Sequence, residues 1–303
     1  MSAVPEFPFF KTIELDDRGV FENILKAYMP DASEWTFTNL FIWRSHYNYS
    51  WSLHKDWLIV TGTDEKGTTY AMQPVGPASR VKVVSMLFEW LKEEIKADSP
   101  RIERADGRLV KELDGVGFVS IVEERNHFDY VYLRDDLAKL GGNKYRSKRN
   151  RINQFLKTHS YKYESLKMVH ISECLEVQEK WCQKRRCGED LNLIGEWDAV
   201  REVLAHFDGL GLKGAVILIG GKVVAFTVGE LLNRDTAVIH IEKADPDIAG
   251  LFQLINQQFC AKSLDGIKYI NREQDLGLPG LRDAKLSYFS DHFVKKYSVI
   301  LKV

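Results

Sequence analysis

The sequence predicts an α+β protein of two domains, each made of strands and helices in a mixed order. Helices with one apolar face are followed by hairpins rather than by single strands, and similar elements occur twice along the 303 residues. Strict alternation of strand and helix would instead indicate one doubly wound sheet. A chain of this length can hold two domains of about 150 residues each. We place them at residues 1–135 and 136–303.

The first half contains helices and a hairpin that can be read from apolar spacing. Residues 15–28 and 35–46 are predicted helices, and "WSLHKDWLIVTG" is a predicted hairpin around Lys55 and Asp56. The segment "SRVKVVSMLFEWLKEEIKAD" predicts an amphipathic helix, because its apolar residues recur at helical spacing. They are Val81, Val84, Leu87, Phe88, Leu91 and Ile95.

The second half repeats this kind of order. It begins with the segment from residue 141 and continues with helices predicted at 172–187 and 196–210. A hairpin turns at Gly220 and Gly221, since paired glycines favour a tight turn between strands. Then follow a strand in "DTAVIHIEKAD", a helix in "AGLFQLINQQFCAKSLDG", a strand in "IKYINREQDLG", a short helix in "LRDAKLSYF" and a last strand in "KKYSVILKV".

Charge and cysteine usage narrow the class of protein. The formal net charge is −1, so general coating of nucleic acid is excluded and any anion site must be local. The four cysteines fit no zinc pattern, and we expect no metal site and idle thiols. The first residues lack a signal-peptide pattern and no apolar run reaches membrane-spanning length. We therefore expect a cytoplasmic protein.

One glycine motif carries no nucleotide site. Gly209, Gly211 and Gly214 satisfy G-x-G-x-x-G, which binds dinucleotides when a strand precedes it and a helix follows. In this chain the order is reversed, a helix before and a strand after. The motif therefore predicts a helix C-cap and a turn.

A basic stretch at residues 141–156 is the strongest charge signal in the chain. Five cationic side chains lie within eight positions: Lys144, Arg146, Lys148, Arg149 and Arg151. On a helix they flank an apolar stripe of Tyr145, Ile152 and Leu156, with Phe155 at its edge. Phosphate is the complement that Arg and Lys favour, so the stretch predicts a phosphate or tRNA site. The alternative is a solvated helix whose charges pair with acids elsewhere.

Polar groups gather where two apolar strands end. "HIEKADPD" and "NREQDLG" follow such strands, and strand ends that open into loops often carry sites. The candidates are His240, Glu242, Lys243, Arg272 and Asp275, which could converge on one pocket. The alternative is that Arg272 and Asp275 pair with each other and His240 is a satisfied core residue.

Four segments resemble a known family. They are "EWTFTNLFIWR", "FDYVYLRDDLAKLGGNKYRSKRNRINQFLK", "VVAFTVGE" and "GLRDAKLSYF". They look like proteins grouped with the C-terminal domain of lysylphosphatidylglycerol synthases. That resemblance covers nearly the whole chain and implies two GNAT-type acyltransferase domains in tandem, an architecture similar to the Fem peptidoglycan aminoacyltransferases.

The resemblance also implies a reaction. The membrane-bound synthases transfer an aminoacyl group from aminoacyl-tRNA to a phosphatidylglycerol head group. They carry a G-L-R-x-x-K-x-x-F/Y segment with its lysine at the active site, matched in this chain by Gly280, Leu281, Arg282, Lys285 and Tyr288. Without the resemblance, Lys285 would be read as a surface lysine. It also implies an acid and a base at the end of the "HIEKAD" strand, where Lys243 matches the base and the acid falls near His240 or Glu242.

The chain lacks most of the glycine motif with which acyl-CoA GNAT domains bind their donor, and this absence bears on the choice of donor substrate. Acyl-CoA GNAT domains carry Q/R-x-x-G-x-G/A before a helix, and the equivalent "KADPDIAGLF" keeps only Gly250. A glycine-rich nest of N–H groups is what binds pyrophosphate. The loss favours aminoacyl-tRNA over acyl-CoA as the donor substrate. A lipid acceptor would be reached by peripheral contact with its head group.

The residues support two hypotheses for function. In the first, the protein is an aminoacyl- or acyltransferase in which Glu242 or Asp275 accepts a proton, while Lys285 and Arg272 stabilise negative charge. His240, Lys243 and Arg282 would contact substrate. In the second, the protein is non-catalytic and holds a phosphorylated or acidic ligand in a GNAT-like cleft.

Overall fold

The chain passes between two units more than once. The computed structural model describes residues 4–185 and 191–302. Its first unit consists of Met1–Asp129, Gln274–Pro279 and Phe293–Val303, and its second consists of Tyr130–Glu273 and Gly280–His292. The sequence instead placed a single division between residues 135 and 136. The difference arises because C-terminal segments belong to the first unit.

Strands and helices alternate irregularly along the chain. The strands are β1 (Lys11–Thr12), β2 (Ser50–His54), β3 (Trp57–Thr63), β4 (Thr69–Met72), β5 (Arg101–Ala105), β6 (Val119–Glu123), β7 (Asp129–Leu133), β8 (Lys162–Ser165), β9 (Lys213–Ile219), β10 (Lys222–Leu231), β11 (Thr236–Ala244), β12 (Tyr269–Asn271), β13 (His292–Val294) and β14 (Tyr297–Leu301). The α-helices are α1 (Arg18–Tyr28), α2 (Phe37–Ile42), α3 (Val81–Glu93), α4 (Gly107–Glu112), α5 (Arg134–Lys139), α6 (Arg146–Thr158), α7 (Ile171–Arg185), α8 (Leu191–Ala205), α9 (Phe207–Leu210), α10 (Leu251–Lys262) and α11 (Pro279–Leu286).

In the part of the chain that the structure describes, the fold contains two seven-stranded mixed sheets whose strands are arranged in a similar way. One runs β1-β2-β3-β4-β5-β14-β6, and the other, read from its opposite edge, runs β8-β9-β10-β11-β12-β7-β13. In each, the fourth and fifth strands are parallel, with α3 or α10 between them along the chain. A parallel pair needs such a crossover helix, whereas the antiparallel pairs need only turns. The protein is therefore α+β, as predicted.

The strand β14 explains why the division expected at residue 135 differs from the observed one. It pairs with β5 on one side and β6 on the other, both antiparallel. The last strand of the chain thus satisfies the backbone groups of two strands in the first unit. No local pattern in residues 295–303 reveals which sheet such a strand joins.

Short-range sequence signals predicted one helix face and one turn. The apolar face of α3 is buried at Val84, Leu87 and Leu91, whereas Ile95 lies beyond the helix end and is exposed. Gly211 caps α9 in the left-handed conformation with φ 62° before β9 begins, which confirms the C-cap assigned to the glycine motif.

Candidate active site

The parallel strands β11 and β12 separate after a short pairing. They pair at Thr236 with Tyr269, Ala237 with Ile270 and Val238 with Asn271, and β11 then continues to Ala244. Beyond that point the two strands share no ladder, so side chains rather than backbone bonds span the opening.

An ion pair spans this opening. Nη2 of Arg272 donates to one oxygen of Glu242 at 3.0 Å, and the amide of Asn256 on α10 donates to the other at 2.8 Å. Burial opposes the charge of Arg272, but Glu242 together with Tyr132 and Tyr288 outweighs burial and raises the pKa of Arg272 above its usual value. Within the described chain, Nη1 of Arg272 is buried without a partner. A buried guanidinium N–H without an acceptor in the chain is available to donate a hydrogen bond to a ligand or a water.

Two tyrosines form aromatic walls around Arg272. Its guanidinium carbon lies 4.9 Å from the ring centre of Tyr288 and 5.8 Å from that of Tyr132. The Tyr132 hydroxyl donates to the main-chain oxygen of Lys285 at 2.8 Å. These contacts fix the guanidinium in a cation–π arrangement.

Lys285 is buried rather than on the surface. Only 9% of the residue is exposed, and its ammonium group donates to the main-chain carbonyls of Arg272 and Glu273. It therefore ties α11 to the segment that follows β12. Arg282, one turn earlier on α11, is half-buried.

His240 is held between two carboxylates. It is the extra residue of a bulge, because Val228 pairs with Ile241 and Gly229 with Ile239. Its ring nitrogens lie 2.9 Å from Glu230 and 2.9 Å from Glu273. Burial would lower the pKa of His240, but the two carboxylates outweigh it and raise the pKa to about 9. The ring is thus an imidazolium with both nitrogens engaged.

Lys243 lies on the other face of β11. Its ammonium group bonds Glu196 of α8 at 2.7 Å and lies 3.4 Å from the ring centre of Trp181 on α7. Successive residues of a strand point to opposite faces, so Lys243 and Glu242 contact different helices. The expected convergence of Lys243 with Glu242 is not seen.

Asp275 belongs to the first unit. It is fully buried, and its carboxylate lies 3.3 Å from Arg125 and accepts the Gly277 N–H at 2.8 Å. Arg272 pairs with Glu242 instead, so the alternative that Arg272 and Asp275 pair with each other is wrong. The candidate residues at the two strand ends are therefore divided between the two units.

The basic stretch forms a 3-10 turn at Asn143–Tyr145 and most of α6, and its cations have different surroundings. Lys144 pairs with Asp136 at 2.9 Å, and Arg149 donates to the main-chain oxygens of Leu140 and Gly142 at the end of α5. Lys144 and Arg149 therefore make structural contacts. For Lys144, this agrees with the alternative in which the charges of the helix pair with acids elsewhere.

The other three cations have no carboxylate partner within the described chain. Arg146 and Arg151 are exposed, whereas Lys148 is 9% exposed and lies on the buried face. That face is Tyr145, Lys148, Ile152 and Phe155, while Leu156 is 47% exposed. The observed stripe is thus displaced by about one position from the expected one, and the displacement turns Lys148 inward.

The N-terminus of α10 packs closely against α6. A Cβ at Gly250 would collide with the main-chain oxygen of Arg151, so α6 packs directly against this point. In the loop before it, the N–H groups of Asp245, Asp247 and Ile248 already have acceptors. A helix N-terminus binds phosphate only through free N–H groups.

Comparison with known families settles the relationship of the chain. The family model for "Phosphatidylglycerol lysyltransferase, C-terminal" matches residues 26–300. The chain belongs to this family. A comparison with the curated proteins finds no match.

Solved structures agree with this family in fold. A conserved protein of unknown function from Bacteroides thetaiotaomicron is 34% identical over 97% of this chain and 99% of its own, with a TM-score of 0.87. L-PGS from Bacillus licheniformis is 13% identical over 99% of this chain and 94% of its own, with a TM-score of 0.64. The structure of FemX is 9% identical over 97% of both chains, with a TM-score of 0.57. The last two likenesses concern the fold alone.

For this member of the phosphatidylglycerol lysyltransferase C-terminal family, sequence reasoning missed several residues of the opening. Asn256, Glu230 and Glu273 orient candidate groups but occur in unremarkable segments. Tyr288 was matched only through the family motif. Asn256 could have been found as a polar residue among the apolar positions of α10, where it is 1% exposed.

Metals, membranes and cysteines give three further findings for this family member. Across residues 4–185 and 191–302, no group of three His, Cys, Asp or Glu side chains could hold a metal ion. Among the same residues, none of the helices has the length and apolarity needed to span a bilayer.

Cys174 and Cys260 are buried free thiols, and Cys187 lies outside the described residues. Cys182 is disulfide-bonded, so the expectation of an idle thiol is wrong at that position.

Proposed function

We propose that this protein transfers an aminoacyl or acyl group from an activated donor to an amine or hydroxyl acceptor. The observation that carries the proposal is the opening between β11 and β12, where Glu242, Arg272 and Lys285 lie together. Membership of a family named for a lysyltransferase supports it. The repeated order of strands supports two GNAT-like domains in tandem.

Glu242 is the proton acceptor in this proposal. Both of its oxygens already accept one hydrogen bond, and each keeps a lone pair for a water or for the acceptor group. Asp275 is bound by Arg125 and Gly277 in the first unit, so we assign the role to Glu242 alone.

Arg272 and Lys285 take different roles. The unpaired N–H of Arg272 stabilises negative charge that develops on the acyl oxygen. Lys285 positions Arg272 by binding its main-chain carbonyl, rather than contacting substrate itself. His240 has both nitrogens engaged and likewise acts by positioning.

Aminoacyl-tRNA is the donor that the charges favour. The N–H groups of Asp245, Asp247 and Ile248 before α10 are occupied and do not form a free nest for the pyrophosphate of CoA. Arg146 and Arg151 are exposed and without partners among the described residues, which suits the phosphates of a tRNA. A phosphate-bearing small molecule or a lipid head group offers the same chemistry.

A turnover assay separates this proposal from its alternative, a non-catalytic protein that binds a phosphorylated or acidic ligand. The protein is incubated with aminoacyl-tRNA and, separately, with acetyl-CoA, with amine, hydroxyl and phosphatidylglycerol-vesicle acceptors. We expect accelerated loss of the aminoacyl ester and labelled acceptor. Binding of tRNA without consumption of either donor would favour the alternative and overturn the proposal.

A further inference from the structure

An amine and a hydroxyl lie in direct contact beside the Glu242–Arg272 pair. Nζ of Lys148 on α6 is 2.6 Å from Oγ of Ser287, which follows the end of α11. Lys148 is buried, whereas Ser287 is half-buried and therefore open to a reactant on one side. A serine hydroxyl next to a buried amine is an arrangement that activates serine as a nucleophile.

The surroundings of Lys148 differ from those of the other buried lysines. Lys243 and Lys296 pair with carboxylates and Lys285 donates to main-chain carbonyls. Within the described chain, Lys148 contacts a hydroxyl and, at 4.2 Å, the ring of Tyr288. The charged groups facing it are Arg151 from its own helix and Arg272 from the end of β12. Burial and then these two cations lower the pKa of Lys148 to about 8. A usable fraction is therefore neutral near physiological pH.

We propose that Ser287 is a nucleophile and that Lys148 is its general base, so that the acyl group passes through an acyl-serine. This inference rests on the proposed acyl transfer and specifies its route. It assigns a catalytic role to a serine that neither the family motif nor the strand-end pattern singled out.

The route balances as two displacements on one carbonyl carbon. Ser287 Oγ bonds to the carbonyl carbon of the donor ester while the bond to the donor oxygen breaks. The serine proton moves to neutral Lys148 and then to the departing oxygen. In the second step the acceptor amine or hydroxyl attacks the acyl-serine and the bond to Ser287 Oγ breaks. The proton of the acceptor moves to Glu242 and is then delivered to Ser287 Oγ. No oxidant or further reactant is consumed.

Neighbouring groups suit both steps. Arg272 and Lys148 contact the same ring of Tyr288, and the unpaired N–H of Arg272 is available for the oxyanion. In the structure the Ser287 hydroxyl donates to the main-chain oxygen of Ala284 at 2.6 Å and accepts a hydrogen bond from Lys148. Neutral Lys148 competes for that proton, whereas charged Lys148 cannot accept it.

A fluorophosphonate probe tests the nucleophile without any acyl donor, since it reacts covalently with activated serines. We expect peptide mapping to find the label on Ser287 in the wild type and in the control Ser290→Ala, and none at this position in Ser287→Ala. Lys148→Met should slow labelling by about a hundredfold. In the wild type the rate should rise as the pH passes about 8. Because both groups pack in the unit, circular dichroism melts accompany each variant.

Failure of the inference and failure of the proposed function give different results. Folded wild-type protein with no label on Ser287, or labelling that is independent of pH from about 7 to 9, overturns the inference. Turnover of aminoacyl-tRNA that persists in Ser287→Ala also overturns it and leaves the proposed function standing. Labelling of Ser287 with no consumption of aminoacyl-tRNA or acetyl-CoA leaves the nucleophile standing and contradicts the proposed function.

Discussion

The guanidinium of Arg272 lies 3.0 Å from the carboxylate of Glu242, beyond the last residue pair of β11 and β12. Two parallel strands that have stopped pairing are thus joined by an ion pair whose side chains are 15% and 12% exposed. Because the pair is partly buried, it holds both side chains in fixed orientations. The ion pair with Glu242 thereby also fixes the position of the Nη1 group of Arg272, which has no partner within the described chain. The chemistry proposed for Glu242 depends on this arrangement.

Glu242→Gln should lower kcat strongly while the protein remains folded. The change keeps the shape and a hydrogen-bonding oxygen for Asn256 but removes the proton acceptor, so we expect kcat to fall about a hundredfold. Loss of one partner of a partly buried pair costs up to about 3 kcal/mol of unfolding free energy. Single-turnover rates and urea midpoints measure the two effects separately.

A matched control for that substitution is Asp265→Asn, which removes an exposed carboxylate paired with Arg134 in the same unit. It should leave kcat within about twofold, since exposed pairs contribute little to stability. Equal kcat values for Glu242→Gln and Asp265→Asn would show that Glu242 is not the proton acceptor.

Stability should fall with rising pH because of His240. Its pKa is raised from 6.5 to about 9 in the folded protein by Glu230 and Glu273, which outweigh burial. Its contribution is therefore complete below about pH 6.5 and is lost as the pH rises through about 9. Urea midpoints across this range should decline in the wild type and less steeply in His240→Asn. Parallel slopes in the two proteins would show that another group titrates.

Glu196→Gln should leave Lys243 as a buried cation without a charge partner. Burial already lowers the pKa of Lys243, and loss of the carboxylate should lower it further. We expect a loss of unfolding free energy of about 3 kcal/mol at most, because Glu196 is partly exposed. The double variant Lys243→Met, Glu196→Gln should recover part of it. No recovery would mean that the pair is not the source of the loss.

The exposed arginines of α6 should carry the salt dependence of tRNA binding. Replacing Arg146 and Arg151 by Gln should lower the slope of log affinity against log salt by about 1 to 2. Lys157→Gln, on the same helix and exposed, is the control for general charge loss. A slope reduced equally by Lys157→Gln would indicate a diffuse contact rather than this pair.

Much of the fold follows from local pattern. The apolar spacing of residues 81–91 predicts α3, and the glycine pair predicts the turn between β9 and β10. Of the five polar residues expected to converge at the strand ends, Glu242 and Arg272 form an ion pair, whereas Lys243 and Asp275 lie elsewhere. The helix and turn predictions succeed because periodicity and turn chemistry act over a few residues.

The remainder depends on long-range packing that no short segment encodes. β14 joins the first unit because β5 and β6 need a strand between them, and Asp275 belongs to that unit because residues 274–279 do. The sequence pattern predicts that Lys148 flanks the apolar stripe of α6, because charged side chains are rarely found on a buried face. In the structure Lys148 lies on that buried face. Such a contradiction between local pattern and fold is expected at functional sites.

The central claim is transfer through the opening between β11 and β12, and consumption of aminoacyl-tRNA tests it most directly. Radiolabelled aminoacyl-tRNA is incubated with the wild type and with Glu242→Gln, with pooled amine, hydroxyl and lipid-vesicle acceptors. We predict that label moves from tRNA to an acceptor with the wild type and that the rate falls about a hundredfold with Glu242→Gln. Label that stays on the tRNA in the presence of folded, tRNA-binding wild-type protein would contradict the account.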